Sequence, residues 1–325
     1  MKAAPEPKKK PGLASIHEGR EQRARGRYSR ATPNLLLYCV VAIGFILFGY
    51  RYFSNKKLED DKDALLSKQR AVEKTVGAEW YPLRDQIEKL TVESADHFDS
   101  DFVDAEASKW DFRSLPGLYL RLRVGDAKDV ISVRKNSQDS LKDSFVGCLL
   151  RETNVAAARG EADSGVFPEQ PWNMRTAYSS TRILTDQWVS DVKASDDDLR
   201  LRVFDQQYRH AAEEQIPLAI QLIKKAQFFL LVLDEDTLEA AAKADGGALS
   251  EDVLQLVPHD ARVRIVNLRT GKDIIRVRRR GEGSFMFASE TQPTDPDVRD
   301  AMQRNVNNCA LAQQVQSVLG LEAKK

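Results

Sequence analysis

Three acidic residues at the end of one apolar run are candidates for acid–base chemistry. The run "QFFLLVLDED" closes with Asp234, Glu235 and Asp236. Proteins with central β-strands often hold catalytic carboxylates at the carboxyl ends of those strands. Asp234 or Asp236 acting with His210 would form a hydrolase-type site. Strand-ending acids are also common turn formers, and His210 suits the surface of a helix, so both interpretations stay open.

Four arginines form the densest cationic cluster in the C-terminal part of the chain: Arg276, Arg278, Arg279 and Arg280. Alternate residues of a β-strand share one face, so a strand here would align several guanidinium groups. Such a row suits an anionic polymer or a lipid headgroup, because guanidinium groups pair well with carboxylate and phosphate. A solvated face that nearby acids neutralise is the alternative. We take the cluster as the candidate contact surface.

Two cysteines, Cys148 and Cys309, lie in the C-terminal part of the chain, and Cys39 lies in an apolar run near the N-terminus. An isolated pair favours a disulfide if its compartment is oxidising. Two buried free thiols are the alternative. The spacing leaves the choice open, because it does not give the distance between the two Cα atoms.

The common motifs of metal, nucleotide and covalent chemistry are missing. The sequence has no H-E-x-x-H, C-x-x-C, G-x-S-x-G, Walker or G-x-G-x-x-G pattern. An acidic stretch from Asp96 to Glu106 has the charge of a calcium loop. However, Val103 and Asp104 stand where the third oxygen ligand and the glycine of that loop belong. We therefore predict a solvated acidic linker, no metal, no cofactor and no catalytic residues.

An apolar run, "NLLLYCVVAIGFILFGYRYF", occupies residues 34–53. As a helix, residues 35–53 would extend about 28 Å, close to the hydrocarbon core of a bilayer at about 30 Å. No polar stripe follows one side, as it would on a surface helix. The bulky, basic residues that come next do not suit signal-peptide cleavage. The run therefore predicts a transmembrane signal anchor rather than a buried core helix or a cleaved leader.

The flanking charges predict the orientation of that anchor. Residues 1–33 hold nine Lys or Arg against three Glu, whereas the residues just beyond the run mix both signs. The excess of Lys and Arg favours a cytoplasmic N-terminus and an exported C-terminal part. The first 33 residues are rich in Pro, Gly and charge, which predicts a disordered tail. From residue 54 onward, 46 acidic residues outnumber 39 basic ones, which argues against nucleic-acid binding there.

Residues 54–110 are predicted to form a helical stalk and an acidic linker. Leu58, Leu65 and Val72 repeat every seven residues, which is a short coiled-coil-like pattern. Packing of the stalk on its own domain is the favoured interpretation, and weak self-association is the alternative. Pro82 should interrupt the helix.

Residues 111–325 are predicted to form an extracytoplasmic α+β domain with two β-hairpins, one central strand and several helices. Alternating Leu and Arg over residues 118–124, followed by a turn and an apolar run over 130–133, predict the first hairpin, with one cationic face. Residues 261–280 predict the second, with its turn at 270–272. The run that ends at Asp234 predicts the central strand, covered on both faces.

Local signals predict where several helices begin and end. Ser195 is the predicted cap of the helix that carries His210, and Pro217 should kink or divide that helix. Asp295 and Pro296 predict the start of the last helix, and Gly320 predicts its end. Apolar positions predicted to face the core from two helices are Leu141, Phe145, Cys148 and Leu149, and then Val298, Met302, Val306 and Cys309.

Together these features favour a single-pass membrane protein with a periplasmic or extracellular binding or scaffold domain that is not catalytic. The expected partners are the lipid bilayer and a protein or an envelope polymer. A membrane-anchored hydrolase and a structural subunit of an envelope complex are the alternatives.

Overall fold

The computed structural model describes residues 33–140, 143–150, 171–244, 249–284 and 295–320. The chain divides into two compact units, residues 1–64 and 65–325. Leu141, which was predicted to face the core, lies outside the described residues.

Helix α1 (Pro33–Asp96) is continuous through the segments predicted as anchor and stalk. Pro82 lies inside it, so the prediction that Pro82 interrupts the helix was wrong. Proline removes one backbone hydrogen bond from a helix, at a cost of about 3 kcal/mol or more. Trp80 and Ile87, on either side of Pro82, are fully buried, and this packing offsets the cost.

In the first unit, α1 exposes a run of large apolar side chains. Phe45 and Phe48 are each 73% exposed, and the residues between them are similarly open. Among the described residues, α1 is the one helix that is long and apolar enough to cross a membrane.

The second unit carries shorter helices. They are α2 (Val130–Asn136), α3 (Ser144–Leu150), α4 (Arg175–Thr181), α5 (Asp186–Lys193), α6 (Asp198–His210), α7 (Ile216–Lys225), α8 (Leu238–Lys243), α9 (Glu251–Leu254) and α10 (Pro296–Leu319). A π-helical turn, Ala211–Gln215, separates α6 from α7. Pro217 lies in the first turn of α7, directly after this π-helical turn, and the chain stays helical from Asp198 to Lys225.

A six-stranded mixed sheet accompanies these helices, in agreement with the predicted α+β class. The strands are β1 (Phe102–Val103), β2 (Gly117–Arg123), β3 (Trp172–Asn173), β4 (Phe228–Asp234), β5 (His259–Asn267) and β6 (Asp273–Gly281). Their order across the sheet is β1-β6-β5-β4-β2-β3. Strand β2 pairs in parallel with β3 and β4, and the other pairs are antiparallel.

Two of the predicted strand features are confirmed. Every residue of β4 is buried, as expected for a central strand covered on both faces. Strands β5 and β6 form the predicted hairpin. Gly271 in its turn has φ 69°, a left-handed conformation that glycine adopts without steric cost.

The first predicted hairpin was wrong. Residues from Val130 form α2 rather than a strand, and the Asp129 side chain caps this helix by accepting a hydrogen bond from Ser132 N at 2.9 Å. Strand β2 instead lies between β3 and β4, with partners far along the chain. Because both faces of β2 are covered, its arginines do not form a solvated cationic face.

One face of the sheet packs against α3 and α10. Strand β4 contributes Phe228, Leu230 and Val232 to this core, and the facing helices contribute Phe145 and Leu311. These side chains belong to one apolar cluster, and the side chains beside it at the end of β4 are charged.

Two local predictions need correction. Helix α6 begins at Asp198, and Asp197 caps it by accepting from Arg200 N at 2.7 Å. The predicted cap, Ser195, is buried, and its hydroxyl donates to the Asp197 carbonyl oxygen at 3.3 Å. The helix therefore starts two residues later than predicted, where an ionised oxygen is available as acceptor.

In α10, both predicted ends are confirmed, because Asp295 caps the start and Gly320, with φ 65°, ends the helix. The predicted inner face was wrong at its beginning. Val298 is 44% exposed and Met302 is 38% exposed. The buried residues of the helix begin at Asn307. Before them, Gln303 Nε2 donates to the carbonyl oxygen of Gly283 at 3.0 Å.

Candidate functional site

Arg121 and Asp234 form a buried ion pair on two neighbouring parallel strands. Arg121 lies on β2, and Asp234 ends β4. The guanidinium donates from Nε to Asp234 Oδ2 at 2.7 Å and from Nη2 to Oδ1 at 2.9 Å. This two-bond geometry is the strong form of an arginine–carboxylate contact.

The third nitrogen of Arg121 joins two helices to the pair. Nη1 donates to Asp143 Oδ2 at 2.7 Å and to Asn308 Oδ1 at 2.8 Å. Asp143 directly precedes α3, and its other oxygen accepts from Phe145 N at 2.9 Å. Asn308 lies on α10. One guanidinium therefore connects β2, β4, α3 and α10.

His259 completes the contacts of Asp234. Its Nε2 lies 3.1 Å from Asp234 Oδ1, and its Nδ1 lies 2.8 Å from the carbonyl oxygen of Val257. Both ring nitrogens therefore face oxygen atoms. We refer to Arg121, Asp234 and His259 as the charge centre.

Further polar side chains extend the charge centre towards α9 and α10. Asn308 Nδ2 donates to Gln255 Oε1 at 3.0 Å, and Gln255 Nε2 donates to Glu251 Oε1 at 3.0 Å. On the other side, Tyr119 Oη donates to Asp143 Oδ2 at 3.0 Å. These contacts matter because a buried polar group without a partner costs about 1–3 kcal/mol.

The pKa values of two carboxylates near the charge centre shift in opposite directions. Burial alone would raise the pKa of Asp234, but the positive charges of Arg121 and His259 outweigh burial and hold this pKa below its usual range. For Glu251, burial raises the pKa well above its usual value, and the negative charges of Asp234 and Asp143 add to this against the attraction of Arg121. Asp234 is therefore ionised at neutral pH, whereas Glu251 holds its proton more tightly than a free glutamate.

The charge centre offers little access for a substrate. The side chains of Arg121 and Asp234 are 0% exposed, and that of His259 is 1% exposed. Glu251, at 20% exposure, is the more open neighbour. Within the described residues, no group of three or more His, Cys, Asp or Glu side chains is placed to hold a metal ion. The arrangement suits holding four elements in register.

The other two acids of the predicted strand-end group lie in separate ion pairs. Asp236 accepts from Arg123 Nε at 3.0 Å and from Nη2 at 2.9 Å, and its side chain is 43% exposed. Glu235 accepts from Arg262 Nε at 2.8 Å. Each of the three consecutive acids therefore pairs with a different arginine.

His210 is not part of the charge centre. It ends α6, where its ring contacts Glu214 at 2.9 Å and Gln215 at 2.9 Å. The structure brings Asp234 together with His259 instead. Sequence reasoning missed His259 because the contact depends on β5 pairing antiparallel with the strand that ends at Asp234. To predict this contact, one would have needed the order of the strands in the sheet.

The four predicted contact arginines all lie on β6 and all have carboxylate partners. By strand alternation, Arg276, Arg278 and Arg280 share one face and Arg279 points to the other. Their partners are Asp99 for Arg276 at 2.9 Å, Asp260 for Arg278 at 3.1 Å, Asp101 for Arg279 at 2.6 Å and Glu282 for Arg280 at 2.7 Å. The face is therefore largely neutralised, and the acidic segment before β2 supplies two of the partners.

Cys148 and Cys309 lie on α3 and α10, the two helices that Arg121 also connects. Their Cα atoms are 5.2 Å apart, within the range that a disulfide spans. Cys309 follows Asn308 directly, so the cysteine pair and the Arg121 Nη1 contact lie at neighbouring points of α10.

Comparison with known proteins adds no family to this geometry. No family model, no curated protein and no solved structure matches the chain. The functional interpretation therefore rests on the charge centre, the arginines of the β5–β6 hairpin and the apolar part of α1.

Proposed function

We propose that this chain is a single-pass membrane protein whose second unit is an extracytoplasmic binding or scaffold domain without catalytic activity. The observation that carries the proposal is the exposed apolar part of α1, where Phe45, Ile46 and Phe48 are 69–73% exposed. Apolar surface in water costs about 25 cal/mol per Å². Insertion into a hydrocarbon core removes that cost, and the length of the run matches the core.

The charges on the two sides of the apolar run support the orientation. The nine Lys or Arg of residues 1–33 belong on the cytoplasmic side, because positively charged flanks are retained there. The second unit, with its excess of acidic residues, is then exported. Export into an oxidising compartment also fits a disulfide between Cys148 and Cys309.

The contacts of the charge centre support a structural rather than a catalytic role for the strand-end acids. Both carboxylate oxygens of Asp234 accept hydrogen bonds from Arg121, and one of them also contacts His259. All three side chains are buried. Buried polar networks of this kind can fix a unique packing of the elements they join. A rigid domain held at a membrane surface suits recognition of a protein or an envelope polymer.

Weak self-association through α1 remains a prediction. In the second unit, Leu65 is 3% exposed and Trp80 is 1% exposed, so these positions pack within the unit itself. This burial favours the interpretation that the helix packs on its own domain.

A reporter experiment tests the proposed topology. The full chain is fused at its C-terminus either to alkaline phosphatase, which is active only after export, or to green fluorescent protein, which fluoresces in the cytoplasm. We expect phosphatase activity without fluorescence, and retention of the chain in membranes after an alkaline carbonate wash. Replacing Arg20, Arg23, Arg25, Arg27 and Arg30 by Glu should weaken the preference for a cytoplasmic N-terminus. Fluorescence of the unaltered fusion, or release of the full chain by the wash, would contradict the proposal.

A further inference from the structure

A cavity of about 210 Å³ lies in the second unit between the last turn of α1 and one face of the β5–β6 hairpin. Three arginines line it, Arg262, Arg264 and Arg276, together with Ser94 and Asp99. Pockets that bind drug-sized molecules measure roughly 300–1,000 Å³. This cavity is smaller, and three guanidinium groups against the two carboxylates of Glu93 and Asp99 on its wall suit a small anion.

Arg264 and Arg276 lie directly opposite each other in the antiparallel register of β5 and β6. Like charges in this position destabilise a sheet. Each guanidinium has one carboxylate neighbour, Asp273 at 2.7 Å from Arg264 Nε and Asp99 at 2.9 Å from Arg276 Nη1. An anion between the two arginines would add one further attraction to each guanidinium group.

One buried donor in this pair has no partner among the described residues. Arg276 Nε is buried and has no hydrogen-bond partner among the described residues. Arg262, on the same wall, donates through two of its nitrogens: its Nε donates to Glu235, and its Nη1 donates to the carbonyl oxygens of Ser94 and Ala95. A buried donor without a partner costs about 1–3 kcal/mol, which an acceptor in the cavity would recover after a turn of the Arg276 side chain brings Nε to it.

We propose that this cavity binds a phosphate group held between Arg264 and Arg276. Guanidinium groups match the oxygens of phosphate in paired hydrogen bonds, and a doubly charged group interacts with both arginines at once. The carboxylates of Asp99 and Glu93 at the cavity wall disfavour larger, more highly charged anions. The inference rests on the proposed function as a binding domain and names the chemistry of the ligand. A soluble phosphate monoester and a lipid headgroup share this chemistry.

Titration of the full chain in an uncharged detergent tests the site. Inorganic phosphate is added at constant ionic strength, and binding is followed by calorimetry and by the ³¹P resonance. We expect one saturable site per chain, with acetate competing at least tenfold more weakly than phosphate. No saturable binding of phosphate up to about 10 mM would overturn the proposal, because weaker association than about 3 kcal/mol is not a specific site. Equal competition by acetate would overturn the assignment to phosphate.

Two variants locate the binding in the cavity. Arg276→Gln removes this buried donor and one charge, and should weaken phosphate binding at least tenfold. Arg264→Lys keeps the charge but loses the paired donors, and should weaken it about threefold to tenfold. Arg209→Gln is the matched control, because Arg209 pairs with Asp205 at 2.9 Å on α6 and does not line the cavity. If Arg276→Gln does not fold, unchanged binding by a folded Arg264→Lys variant overturns the proposal.

Reconstitution separates the two sources of phosphate. In phosphatidylcholine bilayers, soluble phosphate should bind as in detergent. If added phosphatidic acid lowers that binding, the headgroup is the ligand; if it has no effect, the ligand is soluble. Binding in detergent does not depend on membrane topology. A failure here therefore leaves the proposed anchoring untouched, and a failure of the reporter experiment leaves the phosphate site untouched.

Discussion

The side chains of Arg121 and Asp234, which are 113 residues apart in the sequence, meet through two hydrogen bonds of 2.7 and 2.9 Å on adjacent parallel strands. Neither side chain is exposed to solvent. Removing two charges from water is unfavourable unless both are paired and their remaining hydrogen bonds are satisfied. Asp143, Asn308 and His259 supply those bonds, so the pair holds β2 and β4 against α3 and α10.

Substituting Arg121 should therefore be strongly destabilising. Arg121→Met leaves Asp234 and Asp143 as buried carboxylates without their cation, and we expect a loss of about 3–5 kcal/mol in the free energy of unfolding. Urea denaturation followed by circular dichroism measures this. Arg123→Met is the matched control on the same strand. Because its partner Asp236 is 43% exposed, we expect a loss of only about 1 kcal/mol, and equal losses for the two variants would contradict the role of Arg121.

His259 should contribute through hydrogen bonds rather than through catalysis. His259→Phe keeps a ring of similar shape but removes the two ring nitrogens that contact Asp234 and the Val257 carbonyl oxygen. We expect a loss of about 1–3 kcal/mol in the free energy of unfolding. His210→Phe, on the 58% exposed side chain of the other candidate histidine, should change it by about 0.5 kcal/mol or less. The reverse order of the two effects would contradict the assignment.

The raised pKa of Glu251 predicts a pH-dependent effect. The unfolded chain releases this proton near a pKa of about 4.3, whereas the folded chain keeps it to higher pH. The proton therefore stabilises the folded state at low pH, and this contribution is lost as the pH rises through the folded pKa. Glu251→Gln resembles the protonated form and can still accept the hydrogen bond from Gln255.

We expect Glu251→Gln to be more stable than the natural chain at pH 7–8 by an amount on the order of 1 kcal/mol, and equal to it below about pH 4. Denaturation at several pH values measures the difference. Glu239→Gln, on an exposed side chain of α8, is the control and should show no such trend. The prediction is contradicted if the stability of Glu251→Gln, measured relative to the natural chain, falls between pH 4 and neutral pH.

The cysteine pair predicts protection from thiol reagents. In exported, unreduced protein, Cys148 and Cys309 should stay unlabelled under denaturing conditions and become labelled after reduction. The bond would close a loop across 161 residues, so Cys148→Ser should cost about 2–5 kcal/mol in the free energy of unfolding. Cys39→Ser, in the apolar part of α1, should leave the stability of the second unit unchanged. Free labelling of both cysteines in the exported chain would reject the bond.

Local features of the fold were predictable from the sequence. The β5–β6 hairpin follows from alternating residues and from a glycine in the turn, and Gly271 has the positive φ that this turn requires. The ends of α10 follow from Asp295 and Gly320, each of which acts within its own helix turn. Such signals are read correctly because their partners are only a few residues away.

Features that depend on distant partners were not predictable. Alternation in β2 indicated one apolar and one cationic face, yet Arg121 is buried because Asp234 and Asn308, 113 and 187 residues further along the chain, come to meet it. The apolar run at Val130 fits a strand as well as a helix, and the cap by Asp129 decides for the helix. The role of His259 likewise depends on how β5 pairs with β4.

The most direct test of the proposed membrane placement is digestion of intact spheroplasts of an expressing bacterium with added protease, followed by mass spectrometry of the fragments. We predict that residues 65–320 are digested from outside, while a short fragment containing the cationic N-terminus stays protected and a cytoplasmic marker protein stays whole. If the second unit survives until the membrane is opened with detergent, and is digested only then, it lies in the cytoplasm and the proposed placement is contradicted.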